Sequence, residues 1–187
     1  MKIVTIPHPS LRQAAEAVTD PADPQFQQLI KQMEHTLLNT DNPKGVGLAA
    51  PQVDHLQRIF LTALEENDRT KVISYINPQI VNHSSEQTLG PDPENPKLEG
   101  CLSMPTIYGP VPRWEWVEVE YQSLLDGDVV EKKDRFDGFH ARVVQHEIDH
   151  LDGVLFTDYS LEYDLPVYRE EKKELVEITD RGVLELY

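Results

Sequence analysis

Residues 145–153 read QHEIDHLDG, and this stretch decides how the rest of the chain is interpreted. Its HExxH pattern sets two histidines four residues apart, one above the other on the same face of a helix. His146 and His150 could therefore bind one metal ion, and Glu147 could reach a water molecule at that ion. The pattern predicts a metal site, although two helical histidines can also serve only as hydrogen-bonding groups.

The third metal ligand is left open by this pattern. In metalloproteases of the zincin type, a glutamate or histidine further along the chain completes the site. No histidine follows His150, but carboxylates do, at Asp158, Glu162 and Asp164. The only cysteine, Cys101, lies upstream and would instead give a Cys/His/His site with one open position. A free cysteine can also be no more than a small buried side chain.

The pattern of apolar residues predicts an α+β fold, with small sheets packed around the helix that carries HExxH. We expect a single domain over residues 1–187, because this length is typical of one domain. The central helix is predicted from Gly138 to about Asp152, and a second helix from Asp23 to Asn42. Strands are predicted over residues 58–64, 71–76, 116–122 and 129–136.

The other segments are polar. Residues 82–97 hold three prolines and predict a surface loop. In the tail, rich in Glu and Lys, we predict a short helix from Arg169 to Glu177 and a terminal strand from Val183 to Tyr187. From Asp158 to the end there are nine acidic and four basic residues, so this tail has a net negative charge.

Composition excludes several classes of protein. With 17 basic and 33 acidic residues the net charge is -16, which argues against DNA or an anionic membrane as partner. One cysteine cannot form an intramolecular disulfide, and this suits a reducing compartment. The chain has no apolar run of membrane-spanning length and its N-terminus has no leader character. We therefore expect a cytoplasmic protein.

Two further sequence motifs lie upstream of QHEIDHLDG. They are GVGLAAPQ at residues 45–52 and EGCLS at residues 99–103. In this order the three stretches resemble the peptide deformylase family, whose members share GxGLAAPQ, EGCLS and QHExDHLxG. The opening of the chain is also similar to that of the family, and the resemblance extends to about Tyr159.

The resemblance implies a metal-dependent hydrolase that removes the formyl group from the N-terminal formyl-methionine of newly made polypeptides, releasing formate. It implies one divalent metal ion per chain, Fe(II) in the first place, with Zn(II), Ni(II) or Co(II) able to replace it. Carried over to this sequence, the metal ligands are Cys101, His146 and His150. Glu147 is then the general base.

The resemblance also implies how an N-formyl-methionyl peptide would bind. Gln52 and the backbone N–H of Leu102 would face the formyl oxygen, and three residues would hold the peptide like an added strand: Val46, Gly47 and Gly100. Val143 could line the pocket for the methionine side chain, although core packing explains it equally well. Tyr108 stands where many members have arginine and could contact the substrate differently.

Two alternative functions and one further partner are also compatible with the sequence. A zincin-like peptidase would need a carboxylate as third ligand, and a non-catalytic relative would bind metal without turnover; intact Glu147 and Gln52 argue against the latter. Family members can dock on the ribosome through a basic C-terminal helix, so a transient ribosome contact is kept as a hypothesis despite the acidic tail. We also suggest that Arg113 pairs with Asp149, which together with Gln145 could orient neighbouring groups or lie on the helix surface.

Overall fold

The computed structural model describes residues 1–41, 43–66, 69–92, 94–125, 127–180 and 182. The helices in these ranges are α1 (Pro24–Leu38), α2 (Gly138–Leu151) and α3 (Phe156–Glu162). The strands are β1 (Gly47–Ala49), β2 (Ile59–Glu66), β3 (Arg69–His83), β4 (Gln87–Thr88), β5 (Leu98–Cys101), β6 (Met104–Pro110), β7 (Arg113–Trp114), β8 (Trp116–Leu125), β9 (Asp128–Asp137), β10 (Tyr168–Glu171) and β11 (Glu174–Glu177). The predicted strand Val183–Tyr187 lies outside the described residues.

The strands form antiparallel sheets, and together with the helices they confirm the predicted α+β fold. One sheet has the order β1-β2-β3-β8-β9, so that β1 forms an edge. A second sheet has the order β11-β10-β6-β5, so that β5 forms an edge, and β4 pairs with β7. None of the helices in the described ranges combines the length and the apolar character that a membrane crossing requires.

Helix α2 packs on the first sheet through its apolar face, as the prediction of a central helix requires. Ala141, Val144 and Ile148 share one buried cluster with β8 residues, among them Val117 and Val119. Those two valines also confirm a strand in the predicted range 116–122, because they are buried while Glu118 between them is not, as alternation along a strand requires. Burying this face is what fixes the orientation of the histidines on the same helix.

The two ends of α2 have different side-chain and backbone features. Asp137 does stand at the N-cap position, but its side chain does not cap the helix and instead pairs with Arg135 at 3.0 Å. At the other end Gly153 has a φ of +74°, the left-handed conformation that commonly follows a helix. The helix therefore stops at Leu151, one residue before the predicted end.

Helix α1 begins as predicted and ends earlier. The Asp23 carboxylate accepts hydrogen bonds from the backbone N–H groups of Gln25 and Phe26 at 2.6 and 3.2 Å. Asn39 caps the C-terminus, so the helix does not reach Asn42. Its large apolar side chains are buried except for Leu38, which is exposed.

Two predictions about strands and loops need correction. The predicted strands 58–64 and 71–76 are longer in the structure, because β2 and β3 pair continuously from Ile59 to Glu66 and from Arg69 to Ile76. The segment 82–97 is not wholly a loop, since β3 extends to His83 and β4 lies within it.

The predicted helix Arg169–Glu177 is wrong. This segment forms the hairpin of β10 and β11, with Lys172 and Lys173 at φ values of +52° and +70° in the turn. Strand β10 also pairs with β6, where Tyr168 lies opposite Tyr108. The high helix propensity of Glu and Lys is thus overridden by pairing with an existing strand.

Candidate active site

Helix α2 and strand β5 bring the three predicted metal ligands together. His146 and His150 lie one turn apart on α2, and Cys101 lies at the end of β5. The Cys101 Sγ atom is 3.1 Å from Nε2 of His150, and one ligand atom from each of the three residues lies within 4.8 Å of the other two. The structure therefore places a thiol and two imidazoles where one ion could contact all three.

The chemistry of this donor set fits a divalent transition metal. Burial alone would raise the pKa of the Cys101 thiol, but the adjacent His150 and His146 hold it well below its ordinary value. The thiolate is the form of cysteine that binds metals. Among the described residues, the alternative third ligands Asp158, Glu162 and Asp164 are not part of this group, and Asp158 pairs with Arg12 at 2.6 Å.

Glu99 on β5 fixes the orientation of His146. Its Oε2 atom lies 3.2 Å from Nδ1 of His146. This contact leaves the second ring nitrogen of His146 available to bind a metal ion together with Cys101 and His150. Arg113 donates to both oxygens of Glu99 at 3.1 and 2.9 Å, and Arg142 lies 3.0 Å from Oε1. Burial opposes ionisation of Glu99, but Arg113 and His146 hold its pKa well below the usual range.

Glu99 is a functional residue that the sequence reasoning missed. The only available signal was its position inside EGCLS, two residues before Cys101. The hypothesis that Arg113 pairs with Asp149 is confirmed at 2.5 Å, and the Tyr159 hydroxyl donates to the same carboxylate at 3.1 Å. Arg113 is thus a buried cation between two carboxylates, one on β5 and one on α2.

Gln145 has a structural contact instead of a place among the ligands. Its side-chain oxygen accepts from the backbone N–H of Trp114 at 3.0 Å, and its side-chain N–H donates to the Trp114 carbonyl at 2.9 Å. This pair of hydrogen bonds ties α2 to β7, and so orients the helix that carries the histidines.

Glu147 is buried beside the cluster and faces bare backbone. A Cβ atom built on Gly47 would lie 2.1 Å from Oε1 of Glu147, so the carboxylate fills the space beside this glycine. Its Oε2 atom has no hydrogen-bond partner within the described part of the chain. Burial raises the pKa of Glu147 to about 7, against the opposing effect of His146 and His150. A carboxyl group in this state can exchange a proton near neutral pH.

Gln52 is held with its N–H group directed at the same cluster. Its side-chain oxygen accepts from the backbone N–H of Ala49 at 2.8 Å. Its Nε2 atom lies 3.5 Å from Cys101 Sγ and 3.3 Å from the Ser103 hydroxyl. Because the oxygen is already engaged, the amide presents a donor to anything bound beside Cys101.

A cleft of about 230 Å³ opens beside these groups, between the edge strands β1 and β5. Its walls contain every residue predicted to contact the substrate: Val46, Gly47, Gly100, Leu102, Tyr108 and Val143. His146, Glu147, Gln52 and Cys101 also line it. Predicted metal ligands, the buried carboxylate of Glu147 and the amide donor of Gln52 thus face the same cleft.

An α+β fold whose HExxH helix meets a cysteine at a sheet edge defines a metal-dependent hydrolase with a Cys/His/His site. The chain matches the family described as polypeptide deformylase over residues 1–164. The chain therefore belongs to the peptide deformylase family, enzymes that remove the N-terminal formyl group from new polypeptides.

Similar proteins support this membership. The chain is 40% identical to peptide deformylase 2 of Nostoc sp. over 183 residues, which is 94% of each chain. It is 40% identical to peptide deformylase 1 of Bacillus subtilis over 163 residues, covering 87% of this chain and 91% of the relative. Among solved structures, a peptide deformylase from Synechococcus elongatus in complex with actinonin has a TM-score of 0.73 at 35% identity, covering 84% of this chain and 79% of that one.

Proposed function

We propose that this chain deformylates N-formyl-methionyl peptides with Glu147 as its proton carrier. The observation that carries the proposal is the cleft itself, which is lined by Cys101, His146, Glu147 and Gln52 between two edge strands, with His150 completing the Cys/His/His group behind them. Hydrolysis of a formyl amide needs an activated water, a stabilised oxyanion and a proton for the leaving amine. Each of these needs has a candidate group in this cleft.

Cys101, His146 and His150 would hold one divalent metal ion, which we propose to be Fe(II), with Zn(II), Ni(II) or Co(II) as substitutes. All of these ions accept a thiolate and two imidazoles. Such an ion supplies Lewis-acid chemistry, lowering the pKa of a water and polarising a carbonyl. Glu99 would support it by holding His146 through Nδ1.

Glu147 would move the proton. With a pKa raised to about 7 by burial, it can take a proton from the attacking water and then pass it to the departing amine. Its carboxylate lies against Gly47 and lines the cleft in which the substrate would bind. The same group would thus serve as base and then as acid.

Gln52 and the backbone N–H of Leu102 would stabilise the negative charge that develops on the formyl oxygen. The amide of Gln52 is oriented in advance by Ala49, so no reorganisation is needed during the reaction. One such donor contributes about 2.7–4 kcal/mol in comparable sites. Leu102 follows Cys101 directly and lines the same cleft.

The peptide would lie in the cleft as an added strand. Both β1 and β5 are edge strands, so backbone groups of Val46, Gly47 and Gly100 could pair with an extended chain. Val143 and Phe139 would border the methionine side chain. A structural neighbour from Acinetobacter baumannii, 35% identical with a TM-score of 0.70, is described as bound to Met-Ala-Ser. That ligand has the length and the terminal residue expected of a product.

We further propose that residues 1–187 form one catalytic domain that acts in the cytoplasm and touches the ribosome transiently. Pairing of β10 with β6 supports a single domain, because it joins the tail to the sheet that carries Cys101. The hairpin of β10 and β11 bears four acidic residues and three basic ones, so a contact through it would be weak. Co-sedimentation with ribosomes at low salt, compared with a chain truncated after Pro166, tests this contact.

Formate release tests the proposed function directly. Protein purified without oxygen would be loaded with Fe(II), Zn(II) or Ni(II) and offered formyl-Met-Ala-Ser, with Met-Ala-Ser as the unformylated control. We expect formate in proportion to bound metal and no cleavage of the control peptide. Cys101→Ser should lose the metal, whereas His35→Ala, which changes an exposed histidine on α1, should retain both metal and activity. Cleavage of peptide bonds without formate would contradict the proposal.

A further inference from the structure

Tyr108 lies in the sheet between the cleft and the C-terminal hairpin of β10 and β11. It is paired with Gly100 of β5 on one side and with Tyr168 of β10 on the other. Residues that are directly paired in a sheet share a face, and so do residues two apart on one strand. Tyr108 and Glu170 of β10 therefore lie on the same face, diagonally across neighbouring strands.

The side chain of Tyr108 connects these two strands physically. Its hydroxyl donates a hydrogen bond to Oε2 of Glu170 at 3.3 Å. Its ring lies against Gly100, where a Cβ atom would approach two ring carbons to 2.7 and 2.9 Å. Gly100 precedes Cys101, and both Gly100 and Tyr108 line the cleft. The Tyr108 ring thus lies against Gly100 in the wall of the cleft, and its hydroxyl is hydrogen-bonded to a carboxylate on the hairpin.

We propose that Glu170 is a positioning residue that holds Tyr108 over Gly100, where the ring binds the substrate residues that follow methionine. The inference rests on the proposed function, because a peptide paired along Gly100 would pass this ring. A half-exposed tyrosine without a partner would have to be ordered by the substrate, at a cost in affinity. Glu170 removes that cost in advance. It also lies beyond residues 1–164, the part of the chain that matches the family.

Two substrates of different length separate this role from catalysis. In the proposed binding mode, formyl-Met amide would end before the ring of Tyr108, whereas formyl-Met-Ala-Ser would extend past it. For Glu170→Ala, we expect KM for the tripeptide to rise about three- to tenfold, the equivalent of one net hydrogen bond, with kcat retained. In this variant KM for formyl-Met amide should stay unchanged, and Tyr108→Phe should raise KM for the tripeptide by the same factor. The affinity for Met-Ala-Ser, measured by calorimetry, should fall by the same factor as KM rises.

Three further variants act as controls. Glu171→Ala removes the adjacent exposed carboxylate, which lies on the opposite face of β10, and should leave both KM values unchanged. Glu170→Gln keeps an acceptor oxygen and should restore most of the affinity for the tripeptide. The double variant Glu170→Ala/Tyr108→Phe should be no worse than either single variant, because the two changes break one hydrogen bond.

Different results would overturn different claims. Equal KM values for the tripeptide in wild type and Glu170→Ala, or additive effects in the double variant, would overturn the positioning role alone. A loss that is the same for both substrates would also overturn it, because it would indicate a general structural effect. Absence of formate from both substrates in metal-loaded wild type would overturn the proposed function, and this inference with it.

Discussion

The strand side and the helix side of the cleft each carry a carboxylate that is largely shielded from water, and the surroundings of the two carboxylates shift their pKa values in opposite directions. On β5, Glu99 contacts the guanidinium groups of Arg113 and Arg142 and the ring of His146. On α2, Glu147 faces the backbone of Gly47, and its Oε2 atom has no hydrogen-bond partner in the described ranges. The pKa of Glu99 lies well below its usual range, whereas that of Glu147 is raised to about 7.

The comparison shows that neighbouring charge, and not burial, separates the two roles. Both side chains are removed from water, which on its own favours the neutral acid. Paired cations keep Glu99 ionised, so it can hold His146 in one orientation. Among the described residues, no arginine forms a hydrogen bond or ion pair with Glu147, and its carboxyl group can gain or lose a proton near neutral pH. Carboxylates whose surroundings separate their pKa values in this way commonly divide structural and acid–base duties.

The largest expected effect comes from replacing the carboxylate on the helix side of the cleft. Glu147→Gln keeps the size of the side chain but removes its proton, so kcat for formate release should fall by about 10²–10⁴-fold. Metal analysis should still find one equivalent, because the three proposed ligands are untouched. A metal-loaded variant that retains more than a tenth of wild-type turnover would contradict the role of Glu147.

Removing the cation that pairs with the carboxylate on the strand side should instead lower the stability of the protein. Arg113→Leu removes the buried cation shared by Glu99 and Asp149, which are both largely shielded from water, and we expect the free energy of unfolding to fall by about 3–5 kcal/mol. Urea unfolding at pH 7.5 measures it. Arg113→Lys keeps the positive charge but not the forked geometry of the guanidinium group. Its free energy of unfolding should lie between those of wild type and Arg113→Leu. A loss below about 1 kcal/mol for Arg113→Leu would show that this network is not what stabilises the site.

The pH dependence of stability sharpens the comparison, because the two carboxylates contribute with opposite sign. Glu147, raised from 4.5 to about 7, contributes stability below pH 4.5 that is lost as the pH rises through about 7. This contribution amounts to about 3 kcal/mol at most. Glu99, whose pKa is lowered, contributes stability above pH 4.5 that is lost as the pH falls.

Urea unfolding of the metal-free protein between pH 5 and 8 tests these signs. The difference between wild type and Glu147→Gln isolates the contribution of Glu147, since other titrating groups are common to both. We expect wild type to lose stability relative to the variant as the pH rises. Parallel curves would mean that Glu147 titrates normally in the folded chain.

The smallest expected effect concerns an ion pair outside the cleft. Lys133 and Glu120 form a pair at 3.0 Å on the exposed surface of β8 and β9. Lys133→Ala should change the free energy of unfolding by less than about 1 kcal/mol, because water screens the pair. A loss comparable to that of Arg113→Leu would remove the distinction between buried and exposed charge on which the comparison depends.

The sequence predicted the helix side of the site better than the strand side. His146, Glu147 and His150 follow a local rule, since residues four apart on a helix must share a face. The contacts of Glu99 join residues 14 and 47 positions apart, and no local pattern encodes them. Only the family motif placed Cys101 beside the histidines, because spacing alone left a carboxylate as an alternative ligand.

The tail shows the limit of propensity. The run of Glu and Lys from Arg169 to Glu177 is typical of an exposed helix, yet it forms a hairpin. The two lysines of the turn adopt left-handed φ values that favour Asn or Gly, so this turn lacks the residues that usually predict one. Pairing with β6 decides the structure, and that partner lies about 60 residues away.

Gly47 has a consequence for how the molecule is spaced. The distance between β1 and α2 is set at this point by the width of one carboxylate lying against bare backbone, since even a methyl group there would stand 2.1 Å from Oε1 of Glu147. Alanine at this position would act as a wedge between strand and helix. The first sheet and the helix can come this close because one position on the chain carries no side chain at all.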